Sequence, residues 1–182
     1  MRRTTVLGAG ALALGVLAAA GLAVRRARLE PMLVSGGSMR PTLGPGQRIA
    51  VAPLVRPPAR GDLVVVARPR STGAPPWGSP DPSGSTGDLE VVKRVVGLPG
   101  ERVRLAAGRL EVDGAPVPEP YLAGPPASGE LELELGPAQY LVLGDHRAAS
   151  TDGRDFGPVG ADALLGLVRF AYWPPRRLRR RG

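Results

Sequence analysis

The chain contains no cysteine, one histidine and one lysine. Without cysteine there are no disulfides, no thiol nucleophile and no thiolate metal site. A lone histidine, His146, also makes a structural zinc site improbable. Aromatic residues make up only 4% of the chain, whereas glycine (26) and proline (21) are abundant. That balance suits a loop-rich domain of strands better than a helical bundle. A length of 182 residues fits one domain, with enough chain for a real core once a membrane segment is set aside.

The formal charge of +8 raises a nucleic-acid reading, which the placement of the charges argues against. Arg2, Arg3, Arg25, Arg26 and Arg28 flank an N-terminal apolar run, and Arg176, Arg177, Arg179, Arg180 and Arg181 form a basic tail over residues 176–182. Between them, fourteen cations face sixteen acids, so the body is slightly acidic. Positive charge gathered at two ends fits a lipid surface better than a nucleic-acid groove, and no nucleic-acid partner is expected.

No charged residue occurs from Thr4 to Val24. As a helix this run would be roughly 30 Å long, enough to cross the hydrocarbon layer. Residues 1–28 are therefore expected to form one N-terminal transmembrane anchor with basic flanks. A cleavable secretory signal is the alternative, with Arg2 and Arg3 as its basic start and Ala18-Ala19-Ala20 as a small-residue site. The length of the run and its closure by Arg25 and Arg26 favour the anchor. Arginines on both sides leave the orientation undecided by charge.

Beyond Pro31 the pattern changes to short apolar runs punctuated by glycine and proline. Strands are expected over Ile49–Ala52, Leu63–Ala67, Val91–Val96, Leu110–Val112, Tyr140–Leu143 and Leu164–Phe170. Asp113-Gly114 is a tight-turn signal, and Glu130–Leu135 alternates acid with leucine, as a strand with one wet face does. No long helical period follows residue 30. The fold class is mostly β, with one domain over 29–175. Residues 71–88, dense in proline, glycine and serine, read as an inserted flexible loop.

Twenty-three of the 24 basic residues are arginine. Lys93 is the exception, and it sits inside the apolar run Val91-Val92-Lys93-Arg94-Val95-Val96. Lysine, unlike arginine, can lose its proton near neutral pH when buried, and a neutral amine is a general base. A chance survivor on a solvated strand face is the competing account, and composition alone does not separate the two. A nucleophile for such a base is offered by Ser38 in the turn Ser35-Gly36-Gly37-Ser38. Glycines there let the backbone approach a substrate and aim N–H groups at an oxyanion, although a Gly-Gly-Ser turn is often only a turn. His146 is the rival base. Its neighbour Asp145 is poorly placed to pair with it if both lie on a strand, and no G-x-S-x-G elbow is present.

Four ordered boxes resemble type I signal peptidases. They are Ser38-Met39-Arg40-Pro41-Thr42-Leu43; Gly61-Asp62-Leu63-Val64-Val65-Val66; Val92-Lys93-Arg94-Val95-Val96-Gly97 through Glu101; and Gly144-Asp145-His146-Arg147 through Ser150-Thr151-Asp152-Gly153-Arg154. Val112-Asp113-Gly114 and Pro118-Glu119-Pro120-Tyr121-Leu122 are similar to the hairpin and segment between the last two boxes. The resemblance implies a signal-peptidase-like β-rich catalytic domain that cuts preproteins after Ala-x-Ala-like sites and needs no metal or cofactor. It implies Ser38 as nucleophile, Lys93 as general base and Ser150 as the hydroxyl that orients the amine. It also implies Asp152 and Arg154 as a supporting ion pair, with Asp145 in the same box and Gly36 beside the oxyanion hole. It further implies a single-pass protein of the cytoplasmic membrane with its catalytic domain on the outer face. His146 replaces the usual asparagine of the family, and Gly153 the usual serine. A specialised maturation peptidase of the same clan, acting on one partner, is the alternative reading. An inactive membrane-tethered β module is the non-enzyme alternative.

Overall fold

In the computed structural model the described residues are 29–68, 90–122 and 130–174. The expected anchor, the 71–88 loop and the 176–182 tail lie outside them. Among the described residues no helix is long and apolar enough to cross a membrane.

The apolar runs form strands as their periodicity requires. A seven-stranded sheet contains β1 (Glu30–Leu33), β2 (Arg48–Ala52), β3 (Leu63–Ala67), β4 (Glu90–Gly97), β9 (Gln139–Leu143), β10 (Val159–Gly160) and β11 (Leu164–Trp173). Their spatial order is β1-β2-β11-β3-β4-β9-β10. A smaller sheet has the order β7-β6-β5-β8, from β5 (Arg102–Ala106), β6 (Arg109–Val112), β7 (Ala115–Pro116) and β8 (Leu131–Glu134). The expected strands are all present, with the last running three residues further, to Trp173. The tight turn falls at Asp113-Gly114, where both φ angles are positive (52° and 78°), as a two-residue hairpin demands. Leu131 and Leu133 face inward while Glu132 and Glu134 are exposed.

Four strands escaped the periodicity reading: β1, β5 and the two-residue β7 and β10. β1 contains Pro31 and tolerates it because it is an edge strand, paired only with β2. β5 alternates exposed Arg102 and Arg104 with buried Val103 and Leu105. One helical turn, α1 (Gly153–Phe156), is too short for any period to reveal, but its Asp152 N-cap and Asp155 form a capping box.

Three apolar clusters hold these elements. Val64, Val66, Val95 and Val142 fill the middle of the large sheet. Val96, Leu141 and Leu143 pack on Val103, Leu105 and Leu110, so β4 and β9 are clamped beneath the small sheet. Val34, Met39, Leu43 and Ile49 pin the segment after β1. Met39 is 1% exposed and follows Ser38 directly, so core packing fixes the turn that carries this serine. Met39→Ala should cost about 2–5 kcal/mol of stability, from lost burial plus a residual cavity. A lowered urea midpoint with unchanged slope is the expected readout.

Candidate active site

Ser38 leaves the core through its neighbour. Met39 is buried, and the bonds from Arg40 N to Gly37 O (3.1 Å) and from Leu43 N to Met39 O (2.8 Å) close the turn. The turn's far end is tied back where Val34 N donates to Gln47 O at 2.8 Å. Lys93 stands in the middle of β4, opposite Val64 of β3, and is 2% exposed. Its Nζ lies 2.9 Å from Ser38 Oγ and 3.0 Å from Ser150 Oγ. Burial lowers the Lys93 pKa from 10.5 to about 8. The carboxylates of Asp152 and Asp155 oppose that shift, and the guanidinium groups of Arg154 and Arg68 reinforce it.

Ser150 follows a 3₁₀ turn over Arg147–Ala149, and its position depends on Gly144. A Cβ on Gly144 would lie 2.1 Å from Ser150 Oγ and 2.6 Å from the Ser38 carbonyl oxygen. Only glycine lets the two hydroxyl-bearing residues come this close. Asp152 is fully buried and performs three tasks. Its Oδ2 accepts from Gly144 N (2.9 Å), its Oδ1 accepts from Arg154 N (3.2 Å), and both oxygens are held by the Arg154 guanidinium at 2.9 and 3.0 Å. Gly153 accompanies this arrangement. A Cβ there would lie 2.8 Å from Val142 O, so α1 sits closer to β9 than a serine at this position would allow.

Asp145 is placed differently from the rest of its box. Its carboxylate is gripped by Arg94 at both oxygens (2.8 and 2.6 Å) and accepts from Thr42 Oγ1 at 2.5 Å. Arg94 also donates to Gly61 O at 2.8 Å. This buried fork ties β4, which carries Lys93, to the turn after Ser38 and to the loop that leads to Ser150. Asp145 is thereby committed away from His146. The His146 backbone N–H donates to Ser38 O at 2.9 Å, so the main chain of this residue touches the Ser38 segment. Thr42, Arg94, Glu119 and Arg147 were not singled out from sequence. Their partners lie 28 to 103 residues away, and no local pattern marks such pairs.

A cleft of about 120 Å³ opens beside Ser38, bordered by Val34, Ser35, Gly36, Val91 and Val92. Its walls are strand edges. Residues 90–93 of β4 pair with β3 on one side, whereas β9 engages β4 only from Arg94 onward. Gly36 borders this cleft with open space where a side chain would project.

A hydroxyl in contact with a dry, low-pKa amine has the chemistry of a serine hydrolase whose base is lysine. Comparison with known proteins agrees with that class. The family profile described as "Signal peptidase, peptidase S26" matches residues 7–173. Signal peptidase I T of Bacillus subtilis (strain 168) is 32% identical, across 93% of this chain and 86% of its own length. Signal peptidase I of Bacillus amyloliquefaciens is 31% identical, across 87% of this chain and 81% of its own. The crystal structure of a signal peptidase I from Enterococcus faecalis V583 superposes with a TM-score of 0.50 at 26% identity, covering 63% of this chain and 99% of that one. The chain belongs to the S26 signal peptidase family.

Gly144→Ala should separate Ser150 from Lys93 and lower kcat by at least about 100-fold, the scale of losing a general-base contribution. Steady-state cleavage of a preprotein peptide, beside a melting curve to confirm folding, checks this.

Proposed function

We propose that this signal peptidase removes signal peptides from exported preproteins with Ser38 as nucleophile and Lys93 as general base. The 2.9 Å contact between Ser38 Oγ and a buried amine carries the reading. The neutral Lys93 amine takes the Ser38 proton as Oγ attacks the scissile carbonyl, and Ser150 Oγ, at 3.0 Å, orients the amine. Backbone N–H groups around Gly36, Gly37 and Ser38 hold the oxyanion. Lys93 then hands its proton to the leaving amine, which frees the new N-terminus. Water, activated again by Lys93, hydrolyses the acyl-enzyme and regenerates Ser38. Asp152 and Arg154 support this group by fixing Gly144 and the start of α1.

The small residue before the cut is placed by this reading in the cleft beside Ser38. The open edges of β1 and of β4 over 90–93 offer main-chain hydrogen bonds to an extended substrate.

The catalytic domain is proposed to rest on the outer face of the cytoplasmic membrane, anchored by one helix within residues 1–28. Leu29, Leu33, Val55, Phe170, Tyr172 and Trp173 are large apolar side chains left exposed, and Leu29, Val55 and Phe170 share one groove. Leu33 and Trp173 both register with Arg48 of β2, whereas Leu29 and Val55 lie beyond its other end, so these residues run along the β1-β2-β11 side of the large sheet. Leu29 directly follows the expected anchor, so this apolar side is placed to meet lipid.

Cleavage of an Ala-x-Ala preprotein in detergent tests the dyad. Ser38→Ala and Lys93→Arg should both lose activity, the latter because a guanidinium keeps its proton. Robust turnover by either variant would overturn the assignment. Since the base is the unprotonated amine, and its folded pKa of about 8 lies below 10.5, kcat/KM should climb as pH rises through about 8. A profile that does not rise through this range would overturn Lys93 as the base. Gly36→Ser should be tolerated, because nothing lies within 4 Å of its Cβ position. An added hydroxyl donor at the oxyanion should raise kcat, by on the order of tenfold at most.

A further inference from the structure

The segment after β7 reaches the catalytic loop from the small sheet. Glu119 and Arg147 are 6% and 5% exposed at their side chains and form a two-pronged pair, at 2.5 and 3.1 Å. Arg147 Nε donates to Gly144 O at 3.1 Å. A guanidinium whose fork is filled by a carboxylate has little rotational freedom left, so Glu119 sets where that Nε points. Tyr121 lies over Arg94, with the guanidinium carbon 3.8 Å from the ring centroid. Its hydroxyl donates to Glu119 Oε1 at 2.6 Å. Burial, with the Glu119 carboxylate, pushes the phenol pKa up and keeps it a donor. One carboxylate therefore joins two clamps: Arg147 on Gly144, and the Tyr121-covered Arg94 on Asp145.

We propose that Glu119 and Tyr121 are positioning residues for the peptidase reaction, acting through Arg147 and Arg94 on Gly144 and Asp145 to hold the Ser150 hydroxyl against the Lys93 amine. The link is steric. The Gly144 backbone packs so closely on Ser150 Oγ and Ser38 O that displacing it displaces them. Its N–H is held by Asp152 and its carbonyl by Arg147, so releasing Glu119 frees one of two restraints. Neither Glu119 nor Tyr121 borders the cleft beside Ser38, so substrate binding is untouched and the effect falls on kcat. The inference rests on the Ser38–Lys93 reading.

The test uses the full chain in detergent, an Ala-x-Ala peptide and a pH series. Glu119→Gln is expected to lower kcat about tenfold with KM within about twofold, the scale of a displaced positioning group. The rising limb of its pH profile should move to higher pH, because a loosened loop admits water to Lys93. Asp152, Asp155, Arg154 and Arg68, whose charges reach the amine, are unaltered in this variant. Tyr121→Phe, which keeps the ring over Arg94, should give a smaller change in the same direction, and Glu119→Asp should restore part of the loss. Arg104→Ala, an exposed pair with Glu111 on the small sheet, should behave as wild type. Wild-type kinetics in Glu119→Gln, or a loss matching only the unfolded fraction with the pH limb unmoved, would overturn the proposal. A tenfold loss in Arg104→Ala would do so too. If Glu119→Gln does not fold, Tyr121→Phe decides alone by the same criteria. Full activity of Ser38→Ala would sink the dyad itself, whereas an inactive Ser38→Ala beside normal clamp variants sinks only the clamp.

Discussion

An amine proposed as a general base near physiological pH has to be kept out of water, and Lys93 is buried accordingly. Dryness is the largest influence on it, but it could be cancelled by any anion brought close. Asp152 is such an anion, and it cannot be dispensed with, since it caps α1 and holds the Gly144 N–H. Arg154 resolves the conflict. By taking both Asp152 oxygens at 2.9 and 3.0 Å, it sets against that anion a positive charge that lowers the Lys93 pKa. The ion pair thus bears on the proposed base without touching it.

Arg94 presents the opposite problem on the same strand. Two consecutive cations in β4 point to opposite faces, and the arginine is nearly as buried as the lysine. Its charge is matched by Asp145, its third nitrogen by Gly61 O, and its flat face by Tyr121. Removing one partner from such a pair strands a buried charge at a cost of about 3–5 kcal/mol. The neighbours of the reacting groups are therefore held by interactions that resist partial loosening. Among the described residues no buried side-chain nitrogen or oxygen is left without a hydrogen-bond partner.

Much of this was readable in the chain before any coordinates. A lysine alone among arginines drew attention to Lys93, because lysine can lose a proton that arginine keeps, and the fold buries it. Alternation located most strands, since a half-buried sheet face imposes it. Resemblance singled out Ser150, Asp152 and Arg154, which no periodicity marks, and the fold gathers them around Lys93. The pairings that fix the loop were not legible. Arg94 with Asp145 spans 51 residues, and Arg147 with Glu119 spans 28. Each of these residues alone is an ordinary charge in a charged sequence. Asp145 beside His146 was read as a strand-like neighbour pair; in the fold its carboxylate answers to Arg94 and Thr42. Gly153, a departure from the family pattern, is explained only by the proximity of Val142 O.

Ser38 and Lys93 are 55 residues apart in sequence, and Lys93 and Ser150 are 57 apart. Each rides on a different part of the domain: the turn after β1, the middle of β4, and the loop before α1. An unfolded chain carries an ordinary alcohol and an ordinary ammonium ion, neither of which attacks a peptide bond. On the proposed dyad, proteolytic capacity comes into being at the moment the domain closes on its core. In the proposed mechanism this dependence acts as a built-in delay: the cutting tool is assembled only after the polypeptide bearing it has folded.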